Sequence, residues 1–169
     1  DGVQDEVEIG YAILDVLPGG TVHLCAGVYH VTEGQGYGKS FTLAGAGRDA
    51  TVIVGTAEFN DADEYVSGGS EFLYDQGSNT LSARDLTIRG FYGSGYGALY
   101  GNDFVLDRVR MDHNGCDNGL SGAIDGGNIT VRNSIISKNY SNSSGGAIAA
   151  SRIVASYSTF NDNVSTNRG

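Results

Sequence analysis

The sequence predicts an all-β chain, a right-handed single-stranded parallel β-helix of about five coils with an N-terminal capping α-helix. Three columns of residues carry that expectation. Leu81, Phe104, Ile129 and Ile153 open four similar segments and lie 23, 25 and 24 positions apart. The residues seven further on, Ile88, Met111, Ile136 and Phe160, repeat those spacings. Ala98, Ala123 and Ala147 form a third column, with spacings of 25 and 24. Each unit therefore holds three short apolar runs separated by Gly, Asn, Asp and Ser, which is strand and turn chemistry rather than helix. Stacking such units buries a continuous core that no single unit could build. Leucine-rich repeats share the period but need a Leu-x-x-Leu-x-Leu pattern, which is missing. Helical repeats fail because these runs have no 3.6-residue periodicity.

Upstream, Val7, Ile9, Ala12, Ile13, Val16 and Leu17 recur at helical spacing between Asp5 and Pro18-Gly19-Gly20. An amphipathic helix with a Pro-Gly stop is expected there, placed to cover the open end of the first coil. Thr21 to Cys25, Val28 to Thr32, Phe41 to Ala44 and Thr51 to Gly55 read as strands, and Phe72 to Tyr74 takes the place of the Gly-Ala-Leu run. The polar stretch 56–71 is too long for a tight turn and is expected to project from one corner. The chain thus reads as one domain over 1–169, with the cap at 1–20 and coils over 21–169.

Composition agrees with a packed core in a chain of 169 residues: 40% are hydrophobic, with 27 Gly, one Pro and no Trp. The formal charge of −10, from 20 acidic against 10 basic residues, argues against nucleic-acid binding, which needs a basic stripe. It also disfavours docking on anionic lipid, and no stretch is apolar enough for membrane insertion. Cys25 and Cys116 lie in different units, and pairing them requires Cα atoms within about 7 Å. The opening Asp1-Gly2, without Met or a signal peptide, is what a mature secreted form or an excised piece would show. An extracellular or cell-surface location is the expectation.

Ser144-Gly-Gly-Ala-Ile148 followed by Phe160-Asn-Asp-Asn163 resembles the Gly-Gly-Ala-Ile and Phe-x-x-Asn repeats of the polymorphic outer membrane proteins. Ala12-Ile13, Gly19-Gly-Thr-Val22, Gly27-Val-Tyr29 and Gly45 through Val52 look like the first coils of pectate-lyase-like β-helix proteins. The resemblance implies a β-helix of the kind found in adhesins, lyases, hydrolases and phage spikes, so it specifies fold far better than function. Only Ser144 to Ile148 carries the full double-Gly motif.

The register also places candidate functional residues. Asn114, Asn139 and Asn163 share one position and are expected to stack as an inward ladder at a turn. Arg84, Asp107 and Arg132 share an outward position, and Asp85 faces Arg108; both read as structural charge pairs. By the same resemblance, lyases join Ca²⁺-holding carboxylates to a basic residue that removes a proton beside a sugar carboxylate. Asp107, Arg108, Arg110, Asp112 and His113 supply those residue types. Asp61, Asp63 and Glu64 in the 56–71 stretch offer oxygen ligands to Ca²⁺, without a calcium-loop consensus. Tyr92, Tyr96 and Tyr100, interleaved with Gly, suit a glycan or partner surface, or a loop packed by its own aromatics. His23, His30 and His113 show no metal-ligand spacing, and no cofactor is expected otherwise.

The reading that results is a non-catalytic structural or adhesive module. It is expected to self-associate, or to continue as a longer β-helix, at its uncapped C-terminal coil. A polysaccharide lyase or hydrolase acting on an acidic glycan, and a carbohydrate-binding module, are the alternatives left open.

Overall fold

The computed structural model describes residues 5–60 and 65–166. Helix α1 (Asp5–Asp15) precedes a parallel β-solenoid of about six turns. The first turn holds β1 (Thr21–His23), β2 (Gly27–His30) and β3 (Gln35–Gly36). The second holds β4 (Phe41–Ala44) and β5 (Thr51–Val54), then a side hairpin of β6 (Glu58–Phe59) and β7 (Tyr65–Ser67), and returns through β8 (Leu73–Tyr74). Next come β9 (Thr80–Arg89), β10 (Tyr92–Gly93), β11 (Leu99–Tyr100), β12 (Asp103–Asp112) and β13 (Gly115–Cys116). The last turns use β14 (Ile124–Arg132), β15 (Ile135–Ser137), β16 (Tyr140–Ser141), β17 (Ile148–Ser156), β18 (Thr159–Asn161) and β19 (Val164–Ser165). The short, irregular strands of the first turns account for a count one higher than the repeat alone suggests.

Every coil-to-coil pairing is parallel, and the registers reproduce the sequence columns. Phe41, Leu81, Phe104, Ile129 and Ile153 pair in one line, and Ile53, Ile88, Met111, Ile136 and Phe160 in another. Leu73, Leu99, Ile124 and Ile148 form the third side. Because strand side chains alternate, these residues point inward together and are almost wholly buried through the fifth coil.

Sharp bends separate the sides, and two columns of left-handed residues make them. Asp85, Arg108, Asn133 and Tyr157 have φ between 49° and 58°, and His113, Lys138 and Asp162 between 53° and 55°. Gly90, at φ 71°, opens the second column. One residue past the first bend, Ser134 Oγ accepts from Val109 N–H at 3.0 Å and Ser158 Oγ accepts from Ser134 N–H at 3.2 Å. These hydroxyls bind backbone that the bend takes out of the strand ladder.

The ends of the solenoid differ. At the N-terminal end, Ile9 and Ile13 of α1 are buried against the first coil. The helix has no basic residue in its last turn. Lys39 supplies one from outside, with Nζ donating to the carbonyls of Leu14 and Val16 at 2.6 and 2.7 Å. Tyr11 and Leu14 of the helix, and Leu17 just beyond it, are exposed. Among the described residues, no helix is long and apolar enough to cross a membrane.

Candidate functional site

The charged segment 107–113 is divided by the strand pleat and by the bends into three groups. At the first bend, Arg108 forks onto Asp85, with Nε to Oδ1 at 2.6 Å and Nη2 to Oδ2 at 2.9 Å. Its Nη1 bonds Asp107, whose other oxygen accepts from Asn133 Nδ2 at 2.8 Å. The Arg108 hydrogen bonds hold the Asp85 carboxyl below the usual aspartate range, and the two carboxylates push the guanidinium up. Arg110 points elsewhere and pairs with Asp49 at 3.1 Å.

Asp112 and His113 face a third direction, across the second bend. Asp112 Oδ1 lies 2.8 Å from His113 Nδ1 and 3.2 Å from Arg89 Nε. An ionised carboxylate only accepts, so in this contact Nδ1 is the donor. Arg89 Nη2 lies 3.5 Å from that same Nδ1.

These groups end a cleft of about 600 Å³ lined by Val28, Val52, Val54, Ala57, Phe59, Asn60, Arg89, Gly90 and His113. Its floor is the outer face of β2 and β5, where Val28 pairs with Val52 and Val54 with Arg89. Its far wall is the side hairpin. Phe59 packs edge-on against the His113 ring at 5.3 Å, and Tyr65 stacks flat on Tyr92 at 3.4 Å. The projecting stretch thus lies down on the solenoid as a two-stranded arm, a placement that turn and length signals do not encode.

The three tyrosines lie on two different surfaces. Tyr92 is buried between Tyr65 and Tyr140, and its hydroxyl donates to Asp117 Oδ1 at 2.9 Å. Burial, with that carboxylate beside it, pushes its phenol well above the ordinary value. A Cβ at Gly115 would stand 2.3 Å from the Tyr92 ring, so the column can stack Tyr92 and Tyr140 only across a glycine. Tyr96 instead stacks on Tyr100 at 3.6 Å on the side formed by β8, β11 and β14. Tyr100 neighbours Asp125 there, and burial raises the Asp125 pKa.

Asn114, Asn139 and Asn163 form a continuous hydrogen-bonded column. Asn114 Nδ2 donates to Asn139 Oδ1 at 3.1 Å, and Asn139 Nδ2 to Asn163 Oδ1 at 2.9 Å. The same oxygens accept the backbone N–H groups of Asn114 and Asn139. Each Nδ2 also reaches a carbonyl of an earlier coil: Ile88, Met111 and Ile136 in turn. Cys25 is exposed and Cys116 buried, and both are free thiols. Asp61, Asp63 and Glu64 lie outside the described residues. Among the described residues, no three His, Cys, Asp or Glu side chains converge as metal ligands.

Among the described residues, the last coil exposes apolar side chains that earlier coils bury. Ile153, Phe160 and Val164 are 47%, 43% and 49% exposed, whereas Ile129 and Ile136 one coil earlier are 1% and 0% exposed. Among the described residues, β18 pairs only with β15 and β19 only with β16, so one edge of each is open. No family model, curated protein or solved structure matches this chain, so the β-solenoid is known here from its own register and packing.

Proposed function

We propose that this chain is a non-catalytic structural or adhesive module of an extracellular or cell-surface assembly, joined to a second copy through its open last coil. The observation that carries this reading is the contrast between the two ends. Helix α1 covers one end, and a helix satisfies its own backbone groups. The other end presents open strand edges and apolar side chains.

Electrostatics favours the same joint. Residues 142–166 contain one Arg and one Asp, Arg152 and Asp162, so this coil is neutral in a chain of net charge −10. Two such faces meet without the repulsion that the rest of the surface would impose. The strands β1, β2 and β3 of the first coil also pair on one side only, but α1 lies over that end with Ile9 and Ile13 buried. In this reading the pairing is therefore end to end through the last coil about a two-fold axis, with antiparallel strands across the joint. Symmetry of that kind closes at a dimer instead of growing a filament. The resemblance of Ser144 to Ile148 and Phe160 to Asn163 to repeats of the polymorphic outer membrane proteins supports the surface-display part of the reading. The absorption of Asp107, Arg108 and Arg110 into ion pairs weighs against the lyase or hydrolase alternative.

Light scattering over a concentration series tests this. The expected result is a monomer–dimer equilibrium in the native chain that Phe160→Glu shifts to monomer, since a charge would then be buried at the joint. A native chain that stays monomeric at every concentration would leave this face to a further coil of a longer β-helix and overturn the dimer.

A further inference from the structure

We infer that the outer face of β8, β11 and β14 takes an arginine side chain of a partner polypeptide, stacked on its tyrosines and paired with Asp125. The inference does not rest on the dimer. Register sets Tyr74, Tyr100 and Asp125 side by side on adjacent parallel strands. Their neighbours Leu73, Leu99 and Ile124 are fully buried in the core, so strand alternation turns these three outward. Tyr74 and Tyr96 are 38% and 37% exposed, and Tyr96 lies flat against Tyr100. A Cβ at Gly36 would stand 3.2 Å from the Tyr74 ring, so that ring lies across the glycine of the first coil.

Asp125 supplies the demand for a ligand. It is 8% exposed, and among the described residues no ion pair or side-chain hydrogen bond involves its carboxylate. Burial alone shifts its pKa, whereas a donor would have pulled the value down. The polar atoms sealed from solvent without a partner are Tyr37 Oη, Arg48 Nε and Ser121 Oγ. The Asp125 oxygens are not among them, so a donor from outside can reach them. A carboxylate held in this way destabilises the fold, and an arriving donor removes that penalty. Charge selects a cation, since the whole chain carries −10. The rings select arginine among cations: a planar guanidinium stacks on an aromatic face and keeps an N–H edge for the carboxylate. Exposed tyrosines with a desolvated partner charge are also the residues that anchor arginine at protein interfaces.

The test is a ¹⁵N-resolved NMR titration of the whole chain at pH 7 with acetyl-arginine amide. Acetyl-citrulline amide, acetyl-lysine amide and methyl β-glucoside are run beside it. Shifts are expected to cluster at Tyr74, Tyr96, Tyr100 and Asp125. Arginine should bind about tenfold more tightly than citrulline, its neutral isostere, the ratio that about 1.4 kcal/mol of charge-assisted contact gives. Asp125→Asn removes the charge without a cost to the fold and should bring arginine down to the level of citrulline. Tyr96→Ala should weaken arginine and citrulline alike. Saturating arginine amide should also lower the titration midpoint of the Asp125 carboxyl ¹³C resonance. Equal binding of citrulline would overturn the charge pairing, and equal binding of lysine the stacking. Binding of the glucoside as tight as that of arginine would assign the face to sugars instead. Absent or scattered shifts would remove the site altogether.

Discussion

Asn139 sits at the middle of its column and serves both neighbours. Its Oδ1 accepts two donors from Asn114, and its Nδ2 donates to Asn163 and to the carbonyls of Met111 and Ser137. Asn139→Ala leaves those buried groups without partners and should cost about 3 kcal/mol in urea denaturation, the penalty of stranding more than one polar group. Asn163→Ala, on the half-buried last rung, should cost about 1 kcal/mol by the same accounting. Asp125 is a charge in a desolvated place, and its sign is opposite. Its folded-state pKa is raised by burial, so the protonated side chain is the one the fold prefers. The fold is therefore penalised as pH rises from the unfolded aspartate value through the raised folded one. Asp125→Asn should stabilise the chain at pH 7, and the gain should vanish at a pH below the unfolded aspartate value. A gain that persists in acid would assign the effect to packing instead. At this scale the Asn column is legible in the sequence because three identical residues recur 25 and 24 apart. Ser134 and Ser158 carry the same kind of signal, 24 apart, but serine is too common in this half of the chain for that pair to stand out.

The bends are the elements that make a coil out of strands. Non-glycine residues in the left-handed region cost about 1–2 kcal/mol each, and seven of them are held there by the stacking of adjacent coils. Tyr157 is the most informative, being 91% exposed with φ 49°. Tyr157→Asn should stabilise by about 0.5–1 kcal/mol, since Asn tolerates this region and little contact is lost. Tyr157→Val should destabilise by about 1 kcal/mol, because a β-branched side chain crowds the same conformation. A shift of the urea midpoint in the same direction for both would show that contacts of Tyr157, and not its backbone, decide the outcome. The bends were not legible beforehand: Asp, Arg, Asn and Tyr share no chemistry that marks a left-handed column. The side arm was legible only as a projecting stretch, since its position depends on Tyr65 and Phe59 meeting Tyr92 and His113 from other coils. The cleft that the arm creates with Val28, Val52, Val54 and Arg89 was hidden for the same reason.

For the whole molecule, the period near 24 residues made the solenoid legible, and the helical spacing of Val7 to Leu17 placed the cap. Function was not legible to the same degree, because one coil pattern serves many activities. The charges of segment 107–113 show why. Adjacent in sequence, they part in space, since strand alternation and two bends send Arg108, Arg110 and Asp112 to different partners. The proposed joint rests on the contrast between the described ends, where α1 packs on the first coil and Ile153, Phe160 and Val164 of the last described coil are exposed. Small-angle X-ray scattering over a concentration series tests that claim most directly, because it reads length and cross-section together. The account predicts a particle that doubles in mass and in length along the solenoid axis, keeps its cross-section and stops at two copies. A particle whose length never changes, or one that keeps lengthening into filaments, would contradict it.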